Sequence, residues 1–438
     1  MYQLKNVRQE MMNKIQQENA QLKSLLQTTQ AKSQVEKVEA EKEVVPRPFY
    51  SSLAPCASST GVNTVAASIP NIPPLSYSGT QILNLYNIPQ SIKPTGTSRK
   101  VVIAIVIAYH YDGLLADLAT YWKNPINFGA TATPPTVTVH NLNSTGSTSS
   151  TASINSGWAQ EECLDLQMIC TVAPNADIRV IEANSNSFTD LNAAVTYALG
   201  PKVNADIISM SWGANDYAGF TTFSSIFTST RNVCFCASSG DTNAASWPSV
   251  LSNCISVGGT TLVWNPTATT PLLRTEYTWP SAGCGYSVAV PTPGYQTVVN
   301  TTPKRAIPDI SLIANPQTGA YIVFGGNWYS IGGTSLSAPI FAGILALANQ
   351  NRINAGKPVL TTIYNQGGIN TYSLQSKLYN TINASIYSQL FNDITIGQDV
   401  GTNSSNAYIV YNAGTKYDVA TGIGSPNCGA LITYLNSF

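Results

Sequence analysis

A continuous apolar run at residues 100–108, with the sequence KVVIAIVIA, constrains the fold of this chain more than any other feature. Its β-branched residues do not alternate with polar ones, so a strand built from it has no face for water. Such runs are typical of parallel strands covered on both faces, and parallel strands need crossover connections. The sequence therefore predicts a sheet with helices packed against it.

The chain after this run alternates between helical and extended patterns. Strands that alternate with helices indicate an α/β fold, with a doubly wound, mostly parallel sheet flanked by helices. A segment rich in Pro, Thr, Ser and Asn at residues 129–156 is expected to be a surface excursion with a short hairpin. Helices are predicted at residues 112–122, 158–172 and 188–199, and strands at residues 177–182, 206–211, 232–237 and 253–257.

The N-terminal part differs in composition from the rest of the chain. Residues 1–45 are rich in Gln, Glu and Lys, with apolar residues at roughly helical spacing, and predict an N-terminal helix. This helix could form a coiled coil that serves as a homo-oligomer contact or a tether, or it could be a lone solvated helix. Residues 46–74 are rich in Pro and Ser and predict an extended linker. The globular domain is expected at residues 75–438.

The composition excludes several functions. Charged residues make up 10% of the chain, hydrophobic residues 43%, and the net charge is zero. Without a basic run in the body, nucleic-acid binding has no electrostatic support. No apolar stretch reaches the length of a transmembrane segment, and the N-terminus lacks the apolar core of a secretory signal. A body poor in ionisable groups predicts acid tolerance. The eight cysteines, which show no CxxC spacing, predict buried thiols, with one or two disulfides as the alternative.

The motif Gly332-Gly333-Thr334-Ser335 precedes an apolar run that opens at Pro339. The two glycines allow a sharp turn and predict a loop that leads into a buried helix. Ser335 would then lie at the positive end of the helix dipole, a suitable place for a nucleophile. The alternative is a serine that only caps the helix.

A serine nucleophile needs a base, and the chain has only two histidines, His110 and His140. Both are predicted to be surface or structural residues, with His110 as the alternative base. Glu161 and Asp165 are four residues apart, so a helix would place both carboxyl groups on one face. If they share a proton they form an acid/base device; if the face is exposed they are two solvated carboxylates.

Asp241 is a third candidate carboxyl group, because it follows an apolar strand in the sequence Ser-Gly-Asp-Thr. An aspartate after glycine often forms a turn. A carboxyl group that is kept protonated could instead donate a hydrogen bond to an oxyanion. The residues alone leave both interpretations open.

The motifs of residues 75–438, taken in order, are Leu85-Tyr86-Asn87-Ile88-Pro89, the Glu-xxx-Asp of Glu161 and Asp165, Ser209-Met210-Ser211-Trp212-Gly213, Ser239-Gly240-Asp241, Ser256-Val257-Gly258-Gly259-Thr260, Pro308-Asp309-Ile310-Ser311 and Gly333-Thr334-Ser335. Together they resemble the motifs of the sedolisin family, the serine-carboxyl peptidases with a subtilisin-like fold. The resemblance implies a polypeptide substrate and makes Ser335 the nucleophile, Glu161 the general base and Asp165 the residue that holds Glu161 and shares its proton. It also makes Asp241 the partner of the Ser335 N–H in binding the oxyanion. A glutamate base implies activity at acid pH, where histidine is protonated.

The resemblance further implies one calcium ion per chain near the C-terminus. Its ligands would be the carboxylates of Asp393 and Asp418 and the backbone carbonyls of Ile394, Gly414 and Lys416. Ligand sets made only of oxygen suit a hard cation. Lys416 stands where the family usually has glycine, which predicts a weaker site through a strained turn or the added positive charge.

Two departures from the family affect the prediction. Ile107 stands where relatives usually have an acidic residue that hydrogen-bonds the catalytic glutamate, and residues 1–74 are too short and too polar to be the large folded prodomain of relatives. The leading prediction is an acid-acting endopeptidase or tripeptidyl peptidase. The alternative is a weakly active or inactive peptidase-fold protein with a structural or binding role. Relatives are mostly secreted or lysosomal, but nothing in the sequence sets the compartment.

Overall fold

The computed structural model describes residues 45–52, 76–148, 153–263, 274–363 and 373–438. The N-terminal helix predicted at residues 1–45 lies outside these ranges except for its last residue. The predicted linker is described only as far as residue 52, and the described part is extended. Of the eight cysteines, the seven in the described ranges are free and buried, in agreement with the predicted buried thiols.

The strands of the described residues, in chain order, are β1 (Arg47–Pro48), β2 (Ser51–Ser52), β3 (Val102–Ala108), β4 (Val137–Asn141), β5 (Asp177–Ala183), β6 (Ile207–Met210), β7 (Trp212–Asn215), β8 (Cys234–Ser238), β9 (Ser246–Trp247), β10 (Cys254–Val263), β11 (Thr275–Thr278), β12 (Gly285–Pro291), β13 (Lys304–Ile307), β14 (Ile310–Ile313), β15 (Ala320–Phe324), β16 (Asn327–Gly332), β17 (Phe391–Asn392), β18 (Gln398–Thr402), β19 (Tyr408–Asn412) and β20 (Ser425–Pro426).

The α-helices of the same ranges are α1 (Gly79–Leu85), α2 (Leu114–Lys123), α3 (Ser156–Val172), α4 (Phe188–Leu199), α5 (Thr334–Asn354), α6 (Leu374–Tyr379), α7 (Tyr387–Leu390) and α8 (Cys428–Asn436). No helix in the described ranges combines the length and the apolar character that crossing a bilayer requires.

Within the described residues, eight strands form the central sheet, in the order β11, β10, β8, β6, β3, β5 and β4, with β14 also paired to β10. Neighbouring strands are parallel except for β11, which runs antiparallel to β10. The strand order reverses direction at β3, as in a doubly wound sheet. The predicted α/β fold with a mostly parallel, helix-flanked sheet is therefore confirmed.

The predicted central strand is β3, and every residue of it after Val102 is buried. Helices α3 and α5 pack closely on each other, because Gly343 in α5 leaves no space between its backbone and Val172 of α3. A Cβ at Gly343 would lie 2.7 Å from the Val172 side chain. This close contact fixes α3, with its two candidate carboxyl groups, relative to the start of α5.

The structure differs from the sequence-based expectation at three places. The segment expected to be a surface excursion contains β4, which extends the central sheet as a parallel neighbour of β5. Helix α3 begins two residues before the predicted start, because the Asn155 side chain accepts hydrogen bonds from the backbone N–H groups of Gly157 and Trp158. Helix α5 begins at Thr334 and contains Pro339, which was expected to open it.

Candidate active site

Ser335 lies in the first turn of α5 and is fully buried. The residue before the helix, Gly333, has a φ of 117°, which L side chains rarely adopt, and a Cβ there would lie 2.6 Å from Asp241 Oδ2. The predicted sharp turn is thus present, and it brings Asp241 against the helix start. The Ser335 hydroxyl donates a hydrogen bond to the Ser211 carbonyl oxygen at 3.2 Å.

Glu161 and Asp165 lie one turn apart on α3, and both are completely buried. This excludes the interpretation as two solvated carboxylates. The Ser211 hydroxyl donates to Asp165 Oδ1 at 2.5 Å, while neither carboxylate oxygen of Glu161 accepts a hydrogen bond of good geometry from the described residues. Ser211 therefore links Asp165, through its hydroxyl, to Ser335, through its carbonyl oxygen.

Burial and mutual repulsion make both carboxyl groups weak acids. Burial raises the pKa of Glu161 well above its usual value and the charge of Asp165 raises it further, whereas the nearby hydroxyls of Ser335 and Ser211 lower it. Burial raises the pKa of Asp165 to about 8, against the hydrogen bond from Ser211. Two such neighbours do not ionise together, so the pair holds a proton into the neutral range.

Asp241 follows β8 and faces the start of α5. Its Oδ1 accepts hydrogen bonds from the Thr334 backbone N–H at 2.9 Å and from the Thr334 hydroxyl at 2.8 Å. Its Oδ2 is buried and has no hydrogen-bond partner among the described residues. Burial raises the pKa of Asp241 to about 7, although the two Thr334 donors lower it. Below that pH the free oxygen can carry a proton and act as a donor.

Residues 45–52 of the same chain occupy the groove in front of Ser335. The sequence did not predict that this segment lies there. Strand β1 pairs antiparallel with β7, and strand β2 pairs antiparallel with β16. Between them, the Ser335 backbone N–H donates to the Phe49 carbonyl oxygen at 3.0 Å. The Phe49 backbone N–H donates to Ser335 Oγ at 3.1 Å. A peptide carbonyl is therefore held at the N-terminus of α5, beside Ser335.

The two histidines are not hydrogen-bonded to Ser335. His110 Nδ1 lies 2.6 Å from Glu182 Oε2, and His110 Nε2 lies 2.7 Å from Asp112 Oδ1. His140 Nδ1 lies 3.2 Å from the Tyr197 hydroxyl. Both histidines thus have structural partners.

A second set of buried acidic side chains lies beside the candidate site. Glu162, next to Glu161 in sequence, is buried, and its pKa is raised well above the usual value by burial and further by the charge of Glu182. Glu182 is the cross-strand neighbour of Ile107 in the β3–β5 pair. The position that lacks the family's acidic residue therefore has a buried glutamate on the adjacent strand. The adjacent glutamates Glu161 and Glu162 were the sequence signal for this second set of acidic side chains, but their spacing does not indicate which way each side chain points.

Two of the residues predicted to hold calcium, Asp393 and Asp418, accept hydrogen bonds from backbone N–H groups of the loop at residues 414–418. Asp393 accepts two hydrogen bonds from the Lys416 backbone N–H, at 2.8 and 2.9 Å, and Asp418 accepts one from the Gly414 N–H at 3.0 Å. Burial raises the pKa of Asp418 to about 6, against several N–H donors. Lys416 has a φ of 67°, in the region that favours glycine. Across the ranges described, no cluster of three or more His, Cys, Asp or Glu side chains is arranged around a metal position.

The fold and this arrangement define a class of protein: a subtilisin-like α/β domain with a buried serine at a helix N-terminus and carboxyl groups, not a histidine, beside it. The family model of the subtilase family matches residues 134–407, more than half of the chain, so the chain belongs to the subtilase family.

Among its relatives are the sedolisins, as the motifs predicted. The chain is 36% identical over 214 residues to sedolisin from Pseudomonas sp. (strain 101), covering 45% of this chain and 31% of that protein. It is 27% identical over 383 residues to kumamolisin from Bacillus sp. (strain MN-32), covering 81% of this chain and 62% of that protein.

A solved structure of Pseudomonas sedolisin, complexed with two molecules of pseudo-iodotyrostatin, matches with a TM-score of 0.65 at 24% identity. The match covers 83% of this chain and 98% of that chain. The predicted resemblance to the sedolisin family is confirmed. The chain spans less than two thirds of the length of these two curated relatives, 31% of sedolisin and 62% of kumamolisin.

Proposed function

We propose that the chain is a serine peptidase in which Ser335 is the nucleophile, Glu161 the general base, Asp165 its proton-sharing partner and Asp241 an oxyanion donor. The observation that carries this proposal is the contact at the start of α5. A peptide carbonyl oxygen accepts the Ser335 N–H at 3.0 Å, and the Ser335 hydroxyl lies beside that same residue. This is the placement required for acyl transfer to serine.

Each half of the reaction, acylation and deacylation, needs two proton transfers and one oxyanion. Glu161 takes the hydroxyl proton as Ser335 Oγ attacks the carbonyl carbon, and Asp165 keeps the proton that the pair shares. The developing negative charge is bound by the Ser335 N–H and by the proton on Asp241 Oδ2. Glu161 then returns the proton to the leaving amine, and water hydrolyses the ester by the same route.

The raised pKa of Asp241 favours activity at acid pH. Asp241, with a pKa raised by burial to about 7, is protonated and able to donate below that pH. Above it, an ionised carboxylate would face the oxyanion and repel it. While Glu161 and Asp165 share one proton, one of the two carboxyl groups remains ionised, so Glu161 can accept the serine proton at acid pH, where a histidine would be protonated.

An internal bond of the substrate is the better candidate for cleavage. The groove holds residues on both sides of Phe49, with Pro46 hydrogen-bonded through its carbonyl oxygen to Asn186 at 3.0 Å. A groove that accepts chain this far before the reacting carbonyl supports endopeptidase action. The relatives include proteins named tripeptidyl-peptidases. Release of tripeptides from the end of a chain is therefore the other proposal.

The alternative function is a weakly active or inactive protein with a structural or binding role. The observation in its favour is that residues 45–52 of the chain fill the groove and would exclude other polypeptides. The two proposals differ in a measurable property: the peptidase proposal requires Ser335-dependent turnover of a peptide.

The test compares the chain with its Ser335→Ala variant on casein and on a quenched fluorescent peptide at about pH 4 and pH 7. Ser337→Ala is the matched control, because Ser337 is buried in the same helix and donates to the Ile313 carbonyl oxygen, away from the site. We expect Ser335→Ala to lose activity by about 10⁵-fold or more and Ser337→Ala to keep it. If no cleavage occurs at either pH, the structural or binding role is the proposal that remains.

We also propose that one calcium ion is held by the carboxylates of Asp393 and Asp418 with the carbonyls of Ile394, Gly414 and Lys416. The kind of ligand fits calcium, but the Lys416 N–H that now contacts Asp393 must turn away. The ion would tie the loop to the body of the protein and take no part in the reaction. Calcium added after chelator should raise the unfolding temperature by about 5 °C, and Asp393→Asn should abolish the rise. An equal rise in Asp393→Asn would contradict this site.

A further inference from the structure

The groove in front of Ser335 continues well beyond the carbonyl group that lies at the serine, and Pro46 lies at its far end. Pro46 is buried, although Val45 and Arg47 on either side of it are exposed. Its carbonyl oxygen accepts a hydrogen bond from Asn186 Nδ2 at 3.0 Å. Because the Phe49 carbonyl oxygen accepts the Ser335 N–H, the Pro46 carbonyl marks where the groove would hold the carbonyl of the fourth substrate residue before the scissile bond.

The Asn186 side chain is oriented through its amide oxygen. Asn186 Oδ1 accepts a hydrogen bond from the Tyr109 hydroxyl at 2.8 Å, which turns the amide nitrogen towards the groove. This nitrogen carries only donors. The groove therefore offers a donor at this place, which suits a backbone carbonyl oxygen and does not suit the ammonium group of a chain end.

Tyr109 follows β3 in a conformation that is uncommon for a residue with a side chain. Its φ is 67°, in the left-handed region. Its backbone N–H donates to the Ala183 carbonyl oxygen at 2.8 Å, and its ring meets the edge of Trp158, in the first turn of α3, with the ring centroids 6.4 Å apart. Such a conformation persists only when its surroundings hold it. The position of Tyr109, and with it that of Asn186, therefore depends on the residues that follow.

His110, the next residue, ties this loop to two carboxylates. His110 Nδ1 lies 2.6 Å from Glu182 Oε2, and His110 Nε2 lies 2.7 Å from Asp112 Oδ1. A neutral imidazole has a single N–H, so both contacts are hydrogen bonds only when the ring is protonated. Burial lowers the pKa of His110, but the hydrogen bonds and charges of Glu182 and Asp112 raise it by more, and the net pKa lies above the usual value.

The other groups that face Glu182 are acidic or neutral. Glu162 of α3 is buried and hydrogen-bonds Glu182, and the Tyr111 backbone N–H also donates to it. Asp165 lies one turn further along α3, and its charge raises the pKa of Glu162 after burial and Glu182 have done so. Among the described residues, His110 is the cation that forms an ion pair with Glu182. The buried Glu182 therefore loses its counter-ion when His110 loses its proton.

From these contacts we infer that Asn186 binds the backbone carbonyl of the fourth substrate residue before the scissile bond, and that protonated His110 holds the loop that orients Asn186. This inference rests on the proposed peptidase function and names its substrates as extended polypeptides, bound more tightly at acid pH. Tyr109 and His110 act through Asn186 and are positioning residues. Because the pKa of His110 is raised in the folded state, their contribution is fully present below about pH 6.5 and is lost as the pH rises through the raised value.

The test uses two peptides with the same sequence from the third residue before the scissile bond onward. One has a free amine on that residue, and the other has an acetyl group there, which restores only the carbonyl that Asn186 would bind. The ratio of kcat/KM, acetylated over free, is measured in the unmodified chain and in Asn186→Ala. Dividing the first ratio by the second cancels the charge of the amine and any competition from residues 45–52. We expect a quotient of about 3 to 10 at about pH 5, the effect of one hydrogen bond. A quotient of 1 or less would overturn the role of Asn186.

Tyr109→Phe tests how Asn186 is oriented, because it removes the hydroxyl and keeps the ring beside Trp158. The ratio in this variant, divided by that in Asn186→Ala, should fall to about 2 or less. Tyr197→Phe is the matched control, since the Tyr197 hydroxyl lies 3.2 Å from His140 Nδ1, away from the groove, and it should keep the full quotient. An undiminished quotient in Tyr109→Phe would contradict the orientation by Tyr109.

His110→Gln tests the charged bridge. At about pH 5 this variant should lower the quotient to about 2 or less. In the unmodified chain the quotient should decrease between about pH 5 and pH 8, with Asn186→Ala measured at each pH, whereas in His110→Gln it should not change with pH. A structural role alone would lower kcat/KM for both peptides equally and leave the quotient intact. A full quotient in His110→Gln at both pH values would overturn the role of His110.

The two proposals fail in different ways. If neither peptide is cleaved in a Ser335-dependent reaction, the peptidase function fails and this inference fails with it. If both peptides are cleaved in a Ser335-dependent reaction with a quotient of 1, the peptidase function stands and only the role of Asn186 is wrong.

Discussion

Several parts of the protein bury carboxyl groups, and two of these regions treat them in opposite ways. Asp309 is fully buried beside Arg305 and accepts hydrogen bonds from the Arg305 guanidinium at 3.0 and 2.7 Å, from the Tyr379 hydroxyl at 2.7 Å and from the Ser256 N–H at 2.7 Å. Every oxygen of this carboxylate has a donor. A buried charge saturated in this way stabilises the fold and has no capacity left for proton transfer.

The carboxyl groups around Ser335 lack such partners. Both oxygens of Glu161, Oδ2 of Asp165 and Oδ2 of Asp241 have no hydrogen-bond partner of good geometry within the described ranges. Among the described residues no cation forms an ion pair with Glu161 as Arg305 does with Asp309, and burial raises the pKa of Glu161. The comparison indicates that the carboxyl groups around Ser335 are left partly unsatisfied at a place where protons have to move. Variants in the two regions should therefore affect different properties.

The largest effect is expected for Glu161→Gln. It should reduce kcat by about 10⁴-fold or more, because glutamine cannot accept the serine proton. It should leave stability at pH 7 unchanged or higher, because a buried group that resists ionisation is replaced by a neutral one. The measurements are kcat on a peptide and urea unfolding at pH 7. Activity near that of the unmodified chain would rule out Glu161 as the base.

Asp309→Asn should show the reverse pattern. Removing one partner of a fully buried ion pair leaves Arg305 charged and uncompensated, at a cost of about 3–5 kcal/mol in the free energy of unfolding. Activity per folded molecule should stay within about twofold, because Asp309 does not contact Ser335. Asp112→Asn, whose side chain is 85% exposed, is the matched control and should change stability by about 1 kcal/mol or less. A stable Asp309→Asn variant would contradict the contrast between the regions.

Asp241→Asn tests the oxyanion donor with little change of shape. The amide oxygen can keep the contacts with Thr334 while the amide nitrogen donates at every pH. We expect kcat/KM at pH 4 to fall by about 10- to 100-fold, and the decline through about pH 7 that we predict for the unmodified chain to be absent from the variant. The measurement is kcat/KM from pH 3 to pH 9. If the activity of the variant still declines through about pH 7, a group other than Asp241 causes the decline.

The smallest effect concerns stability as a function of pH. Burial raises the pKa of Asp165 to about 8 and that of Asp241 to about 7, against about 3.9 in the unfolded chain. Because the folded state binds these protons more tightly, their contribution is fully present below about pH 4 and is lost as the pH rises towards 8. Urea unfolding midpoints should decrease from pH 4 to pH 8, and less so in Asp165→Asn. A midpoint that increases over this range would contradict the raised pKa values of Asp165 and Asp241.

Much of the fold could be predicted from the sequence because its signals are local. The β-branched run at residues 100–108 gave a buried strand, and the predicted helix at residues 188–199 matches α4 in both bounds. The i, i+4 spacing placed Glu161 and Asp165 on one helix. Strand β4 was not predicted, because its pairing depends on the free edge of β5, which the local sequence does not encode.

The position of residues 45–52 in the groove could not be predicted either, because it also depends on strands that lie elsewhere in the sequence. Pro46 and Pro48 are typical of a linker, and proline is also tolerated at the edge of a sheet, where no N–H is needed. Only the edges of β7 and β16, which lie far along the chain, turn this segment into two strands. Likewise, no spacing rule indicates that Glu161 faces Ser335 while its neighbour Glu162 faces Glu182.

The measurement that tests the central claim most directly is the pH dependence of kcat/KM for Ser335-dependent peptide cleavage, corrected with Ser335→Ala at each pH. Carboxyl groups as base and oxyanion donor predict activity at about pH 4 that declines through about pH 7, where Asp241 loses its proton. Activity that is absent at pH 4 and rises to a maximum near pH 8, as a histidine base would give, would contradict the account.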